Sequence, residues 1–160
     1  MDTAEIAIVT ASQPADATLT TSRALLGVVA RSLSEALEMV TLPQFRVMVI
    51  LASSEPMRMG TLAARAHSNI STFSRSLDRM VAGGWVRRSG SPDSRREVLI
   101  ELTPHGKQLV AHVTDRRREE IAKILSRLSV RDQKAVGAAL SLFAAAAGEP
   151  PAEDLLVLGL

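Results

Sequence analysis

Apolar and polar positions alternate at helical spacing between residues 69 and 84, and this stretch has the clearest pattern in the chain. Each residue of an α-helix advances by about 100°, so one face gathers the apolar side chains Ile70, Phe73, Leu77, Met80 and Val81. The opposite face collects the hydroxyls and guanidiniums of Ser71, Thr72, Arg75 and Arg79. Asn69 suits the N-cap, and Gly83-Gly84 suits the stop. The pattern predicts a short helix with one packing face and one basic, hydroxyl-bearing face.

The residues after this helix alternate with a period of two, which is typical of strands. A first strand begins at Trp85, residues 89–94 suit a turn, and a second strand ends at Leu102. Two adjacent arginines, Arg95 and Arg96, follow the turn. Residues 60–66 predict a shorter helix, joined to the amphipathic helix by a tight turn. Helix, turn, helix and an arginine-bearing hairpin together form the order of a winged helix-turn-helix.

Longer helical patterns flank this module on both sides. Residues 20–40 carry apolar side chains at spacings of three and four, and Thr20 or Thr21 suits the N-cap of that helix. Residues 42–52 are almost wholly apolar, which predicts a central helix. Helical patterns resume over 104–128 and 130–147.

These patterns predict a mostly α fold with a small β-wing, a winged helix-turn-helix flanked by N- and C-terminal dimerisation helices. The winged helix-turn-helix covers residues 42–103, and a stem is built from 20–40 and 104–147. Residues 1–19 lack sustained periodicity and contain a proline, so we expect a flexible arm. In the tail, 148–160, a Pro-Pro break is followed by a strip at 155–160 that is apolar apart from Gly159; we expect this strip to pack across the stem, with disorder as the alternative.

The flanking helices have more apolar surface than a small winged-helix module can cover. We therefore expect the terminal helices of two copies to form a homodimer. Charge is also uneven: the formal net charge is only +2, but residues 57–107 hold nine Lys or Arg against four Asp or Glu. This local excess of positive charge is typical of a face that binds a polyanion, although a solvated surface would have the same composition.

Several function classes are excluded by composition. The chain has no cysteine, which removes disulfides, thiolate nucleophiles and thiolate metal sites. The three histidines share no metal-ligand spacing, and no catalytic grouping or phosphate-binding glycine loop is present, so we expect neither an enzyme nor a cofactor. No apolar run reaches the length of about 18 residues that a membrane span needs, and no signal peptide is evident, so we expect a cytoplasmic protein.

Four segments in order carry a resemblance to a known family: LPQFRVMVIL (42–51), GTLAARA (60–66), STFSRSLDRMVAGGWVRR (71–88) and PDSRREVLIELTPHG (92–106). Together they resemble the MarR family of winged helix-turn-helix transcription regulators. The resemblance implies a homodimer, with double-stranded DNA as its partner. Members often respond to a small-molecule effector, and repressors are commoner among them than activators.

The resemblance also implies which residues contact DNA. On the recognition helix, Ser71, Thr72, Arg75 and Arg79 would face the major groove, and Ser74 would make an edge contact. At the wing, Arg96 matches the family's tip arginine and Arg95 stands beside it. The chain departs from the family at Ser94, where an aspartate usually braces that arginine, and at His67 and Ser68 in the turn. The run of arginines at 116–118 is bracketed by acidic residues, so a solvated, ion-paired helix face explains it better than DNA contact.

Two other functions fit the same residues. The arginine face would suit an acidic protein partner, which would make the chain a winged-helix protein interaction module. It would also suit a DNA-binding architectural protein without sequence preference. Binding to random and to selected duplexes separates these interpretations.

Overall fold

The computed structural model describes residues 3–91 and 94–148 and has seven helices and three strands within that part of the chain. The helices are α1 (Thr3–Leu33), α2 (Ala36–Met39), α3 (Leu42–Ala52), α4 (Met59–Arg65), α5 (Ile70–Ala82), α6 (Pro104–Leu125) and α7 (Val130–Ala146). The strands are β1 (Met57–Arg58), β2 (Val86–Ser91) and β3 (Ser94–Leu102). The predicted mostly helical fold with a small β-wing is confirmed.

A single hydrophobic core joins the winged helix-turn-helix to the first turns of α6. Helix α3 lies at its centre and buries Phe45, Val47, Met48 and Leu51. A capping box starts α3, because the Thr41 hydroxyl accepts a hydrogen bond from the Gln44 N–H while the Gln44 side chain accepts one from the Thr41 N–H. From α6, the core receives Leu109, Val110 and Val113. The position of the recognition helix is therefore set by the same packing that holds the start of the stem.

Strands β2 and β3 form the antiparallel hairpin of the wing. Strand β1 pairs with the other edge of β3 and completes a three-stranded sheet. The register places Val86 opposite Leu102 and Arg88 opposite Ile100, and it shifts between Gly90 and Ser91. The sequence predicts no strand between the helical segments 42–52 and 60–66, whereas the structure has β1 there. Strand β1 has only two residues, which is too short for a period of two to be visible in the sequence.

Helix α1 differs from the prediction at both ends. It begins at Thr3 rather than at Thr20 or Thr21, and it ends at Leu33 rather than near residue 40. The Thr21 hydroxyl does not cap a helix but donates to the Ala17 carbonyl at 2.8 Å, within one continuous helix. Side chains 13–26 are exposed, and a helix that buries nothing need not show apolar periodicity. Helix is therefore the correct assignment for this segment, and its flexibility stays a prediction.

The stem helices carry apolar side chains that are exposed in the described part of the chain. Among the described residues α7 has none that is buried, and Leu142 and Phe143 are 74% and 57% exposed. Ser129 caps α7 by accepting from the Asp132 N–H at 3.2 Å. The tail prediction falls on residues 149–160, which lie outside the described part of the chain.

The turn between α4 and α5 has a left-handed residue that is not glycine. His67 has φ of +52°, the Ser68 N–H donates to the Ala63 carbonyl at 2.9 Å, and the His67 N–H donates to the Ala64 carbonyl at 3.0 Å. This is a Schellman ending, in which glycine is usual because a Cβ is disfavoured there. The departure from the family pattern at His67 is thus a strained but defined turn.

Replacing His67 by glycine should raise the free energy of unfolding by about 0.5–1 kcal/mol, because relief of the left-handed strain exceeds the entropy that glycine adds to the unfolded chain. Urea unfolding followed by circular dichroism measures the difference. A lower midpoint for the His67→Gly variant would show that the histidine ring stabilises the turn by some other contact.

Candidate nucleic-acid interface

Helix α5 separates a packing face from a polar face as predicted. Phe73, Leu77 and Met80 are buried in the core. The exposed face holds Ser71, Thr72, Arg75 and Arg79, while Ser74 is half-buried at its edge. The assignment of Ile70 to the packing face is wrong, since its side chain is 56% exposed. As the first residue of α5, it lies in the turn that precedes the contact between helix and core.

The start of α5 is fixed by a side-chain cap. The Asn69 Oδ1 accepts from the Ser71 N–H at 3.0 Å and also from the Ser71 hydroxyl at 2.8 Å. The Ser71 proton is therefore used within the protein, and its oxygen presents lone pairs to a ligand. The Thr72 hydroxyl makes no such hydrogen bond among the described residues. The two neighbouring hydroxyls are thus suited to different contacts, Ser71 as an acceptor and Thr72 as a donor or acceptor.

Arg75 and Arg79 stand one turn apart on the exposed face. Within the described residues neither guanidinium has a carboxylate partner, although Asp78 lies on the same helix. Both arginines, together with Thr72, line an open groove of about 370 Å³ between α5 and the start of α3. Guanidiniums that no carboxylate holds can grip an acceptor-rich ligand at such a groove.

Asp78 is held by the wing rather than by its neighbours on α5. Arg88 Nη2 of β2 contacts Asp78 Oδ1 at 2.5 Å. The preceding residue of β2, Arg87, donates to Glu101 of β3 at 3.0 Å, and this hydrogen bond lowers the pKa of the Glu101 carboxyl. The sequence reasoning missed the role of Arg88. Its signal was the Arg-Arg pair directly after the Gly-Trp-Val stretch, but a strand pattern alone does not show which arginine reaches the helix.

The wing tip carries the other predicted contacts. Arg95 and Arg96 belong to β3, but their side chains lie outside the described part, as do Pro92 and Asp93. DNA contact by these arginines stays a prediction.

The arginines at 116–118 contact residues at the end of α1, in the turn after it and within α6 itself. Arg116 bonds Glu35 in the turn between α1 and α2, and this lowers the pKa of the Glu35 carboxyl. Arg118 pairs with Asp115 at 2.6 Å. Arg117 is half-buried and donates to Ser32 at 3.3 Å, and burial lowers its pKa. The predicted ion pairing is found for Arg116 and Arg118, whereas Arg117 departs from the prediction because it is half-buried against a hydroxyl.

Residues 3–91 and 94–148 hold no group of three or more side chains suited to a metal ion. In the same residues no helix is long and apolar enough to cross a bilayer.

A short helix, a four-residue turn, a basic second helix and a two-stranded wing define a winged helix-turn-helix protein. The model of the MarR family matches residues 40–98. RV1404 of Mycobacterium tuberculosis, a solved structure, is 38% identical, with 84% of this chain and 92% of that chain aligned and a TM-score of 0.77. The chain belongs to the MarR family of helix-turn-helix transcription regulators.

Two curated relatives agree with this assignment. The HTH-type transcriptional regulator YfiV of Bacillus subtilis is 26% identical over 107 residues, which are 67% of each chain. The multiple antibiotic resistance protein MarR of Salmonella typhimurium is 25% identical over 96 residues, 60% of this chain and 67% of that protein. Family and relatives are transcription regulators rather than enzymes, as the sequence predicted.

Proposed function

We propose that this protein is a cytoplasmic, sequence-specific repressor that binds a near-palindromic operator as a homodimer. The observation that carries the proposal is the exposed face of α5, where Arg75 and Arg79 have no carboxylate partner among the described residues. The hydroxyls of Ser71 and Thr72 stand beside them. Guanidiniums and hydroxyls on a helix of this fold suit the edges of bases in the major groove.

The homodimer is supported by the apolar surface of the stem. Leu19, Leu25 and Leu26 are exposed on α1, and Leu140, Leu142 and Phe143 are exposed on α7. Apolar side chains left exposed on two helices of the described chain are typical of an interface between copies. A second copy would cover both faces at once. The tail at 149–160 would extend this interface, as its sequence suggests.

The operator symmetry follows from the dimer. A two-fold axis relates the two recognition helices, and successive major grooves on one side of the duplex lie about 34 Å apart. Both helices can then bind identical half-sites, so the preferred sequence is near-palindromic. At the wing, Arg95 and Arg96 add contacts to phosphate or to the minor groove.

An effector would act on the junction between the stem and the winged domain. An open groove of about 250 Å³ lies at this junction, where Lys107 of α6 faces Leu51 and Glu101 of the winged domain. A small molecule bound between stem and winged domain would change the spacing of the two recognition helices. It would then favour a state that does not fit DNA, and repression would be released.

Selection of bound duplexes from a random pool tests the proposal. We expect a near-palindromic consensus, with selected duplexes bound at least about 1,000-fold more tightly than random ones at physiological salt. Equal affinity for both would favour the architectural alternative. No affinity for any duplex would favour a protein interaction module with an acidic partner.

The dimer can be tested separately by placing a charge on α7. Leu142→Glu should give a monomer, because a carboxylate would be buried in the interface without a partner, and operator affinity should fall with it. Analytical ultracentrifugation measures the mass. Val98→Glu, on an exposed valine of the wing, is the matched control and should stay dimeric. A Leu142→Glu variant that remains a dimer would contradict an interface through α7.

A further inference from the structure

Asp78 is the only acidic residue in α5, and it stands on the exposed face. On a helical wheel it lies roughly 60° from Arg75, on the side of Ser71, whereas Arg79 lies on the side of the groove against α3. A carboxylate on a helix that enters a groove of DNA is repelled by the phosphates. An acidic residue at this position is therefore expected to have an ion-pair partner or a functional role.

The partner is Arg88, and the register of the wing explains why. Arg88 is opposite Ile100 in the ladder, and Val86, two residues earlier, is buried on the same face of the sheet. Alternate residues of a strand share a face, so Arg88 is directed toward α5, while Arg87 lies on the other face and pairs with Glu101. The fold therefore brings Arg88 Nη2 to within 2.5 Å of Asp78 Oδ1.

The ion pair leaves both side chains partly exposed. The side chain of Arg88 is 42% exposed and that of Asp78 is 57% exposed. A guanidinium has five N–H donors, and the described contact with Asp78 is made through one nitrogen. The remaining donors lie at the junction of α5 and the wing, where the duplex backbone passes if α5 occupies the major groove.

We propose that Asp78 is a positioning residue: it holds the Arg88 guanidinium at the junction of α5 and β2, where Arg88 binds a DNA phosphate. The pair also fixes the wing relative to the recognition helix, so that both engage one half-site together. This inference rests on the proposed DNA-binding function and assigns a role to two residues within it.

The direction in which Asp78→Asn changes DNA affinity distinguishes a positioning role of Asp78 from a purely electrostatic effect of its charge. Asp78→Asn removes a negative charge near the DNA, so charge alone would tighten binding to every duplex. If Asp78 positions Arg88, the same change should weaken binding to a selected duplex about fivefold to tenfold, since a dimer loses two modest exposed pairs. Binding to a random duplex of equal length should be unchanged or tighter. The ratio of the two affinities should therefore fall.

Asp115→Asn is the matched control. Asp115 is also exposed and also pairs with an arginine, Arg118 at 2.6 Å, but it lies on α6 in the stem. This variant should keep the wild-type affinity ratio. Asp78→Glu, which keeps the carboxylate, should retain most of the preference for the selected duplex. Arg88→Ala should weaken binding to both duplexes and lower the slope of log affinity against log salt by about 2 per dimer, one phosphate contact in each half-site.

The affinities are measured by fluorescence anisotropy at several salt concentrations, and thermal unfolding checks that each variant is folded. Tighter binding of Asp78→Asn to the selected duplex would overturn the inference and leave the proposed function standing. An unchanged salt slope for Arg88→Ala would overturn it as well, even if Asp78→Asn fails to fold. Failure of the wild-type protein to select any duplex would instead refute the proposed function.

Discussion

Replacing Gly106 by alanine should lower the free energy of unfolding by about 2–3 kcal/mol, the largest effect on stability that we expect from one added methyl group. A Cβ at this position would lie 2.2 Å from the Trp85 carbonyl oxygen and 2.9 Å from Leu102 Cδ2. The first of these is a backbone atom, which cannot move aside as the end of a flexible side chain can. Part of the structure must therefore shift.

The Trp85 carbonyl is held in place by the start of α6. It accepts from the Thr103 N–H at 3.1 Å and from the Thr103 hydroxyl at 3.2 Å, and the same hydroxyl donates to the Gly84 carbonyl at 2.6 Å. The Trp85 ring is buried and stacks on His105, with ring centroids 4.2 Å apart. An added methyl group would separate α6 from the base of the wing and weaken these bonds together.

Urea unfolding at a fixed protein concentration measures the change, because the stability of the proposed dimer would depend on concentration. Gly60→Ala is the control, since Gly60 is in α4 and a Cβ there would meet nothing within 4 Å. We expect that variant to be as stable as the wild type or slightly more stable. Equal stabilities of the Gly106→Ala and Gly60→Ala variants would contradict this prediction. They would show that the junction of α6 and the wing can accommodate a methyl group without loss of stability.

Helix α5 could be predicted in detail because its determinants are local. The apolar spacing, the Asn69 cap and the Gly83-Gly84 stop all lie within the segment, and the structure confirms them except for the exposed Ile70. Gly84 has φ of +72° and the Trp85 N–H donates to the Met80 carbonyl at 3.0 Å, which is how such a stop works. A helix can be predicted from a sequence when its N-cap, its apolar spacing and its C-terminal stop all agree.

Helix α1 shows where the same reasoning fails. Periodicity reports burial, and side chains 13–19 are exposed in the described structure, so the pattern that reveals α5 is missing from this part of α1. A proline disfavours a helix interior, yet α1 continues through Pro14. The Thr18 hydroxyl donates to the Pro14 carbonyl at 2.7 Å, a local contact that no apolar count detects.

The candidate site likewise has one part that the sequence predicts and another part that it does not. Exposure of Arg75 and Arg79 follows from the helical wheel, and the structure agrees. The pairing of Asp78 with Arg88 depends on the register of β2 against β3 and on how the sheet packs on α5. Such a contact between elements is decided by packing, and a single sequence does not display it.

Arg75→Ala should cost about 1–3 kcal/mol of affinity for a duplex selected by the wild-type protein and should relax the preference at one base position in each half-site. Arg75 is exposed in the second turn of α5, and within the described residues no carboxylate holds its guanidinium. The guanidinium can therefore bind guanine O6 and N7 together, a contact that reads the base. A surface arginine without a carboxylate partner contributes little to folding, so the melting temperature should be unchanged.

The contrast with the wing makes this test specific. Arg96→Ala should weaken binding to all sequences alike and reduce the salt slope by about 1 for each phosphate that the arginine no longer neutralises, twice that in a symmetric dimer. If Arg96 instead enters a narrow minor groove, its removal should matter more on A·T-rich flanks. Arg118→Ala, in the ion-paired run on α6, is the control and should leave both affinity and slope unchanged. If Arg75→Ala and Arg96→Ala also leave them unchanged, α5 and the wing do not form the DNA-binding face, and the arginines of α5 then serve an acidic protein partner.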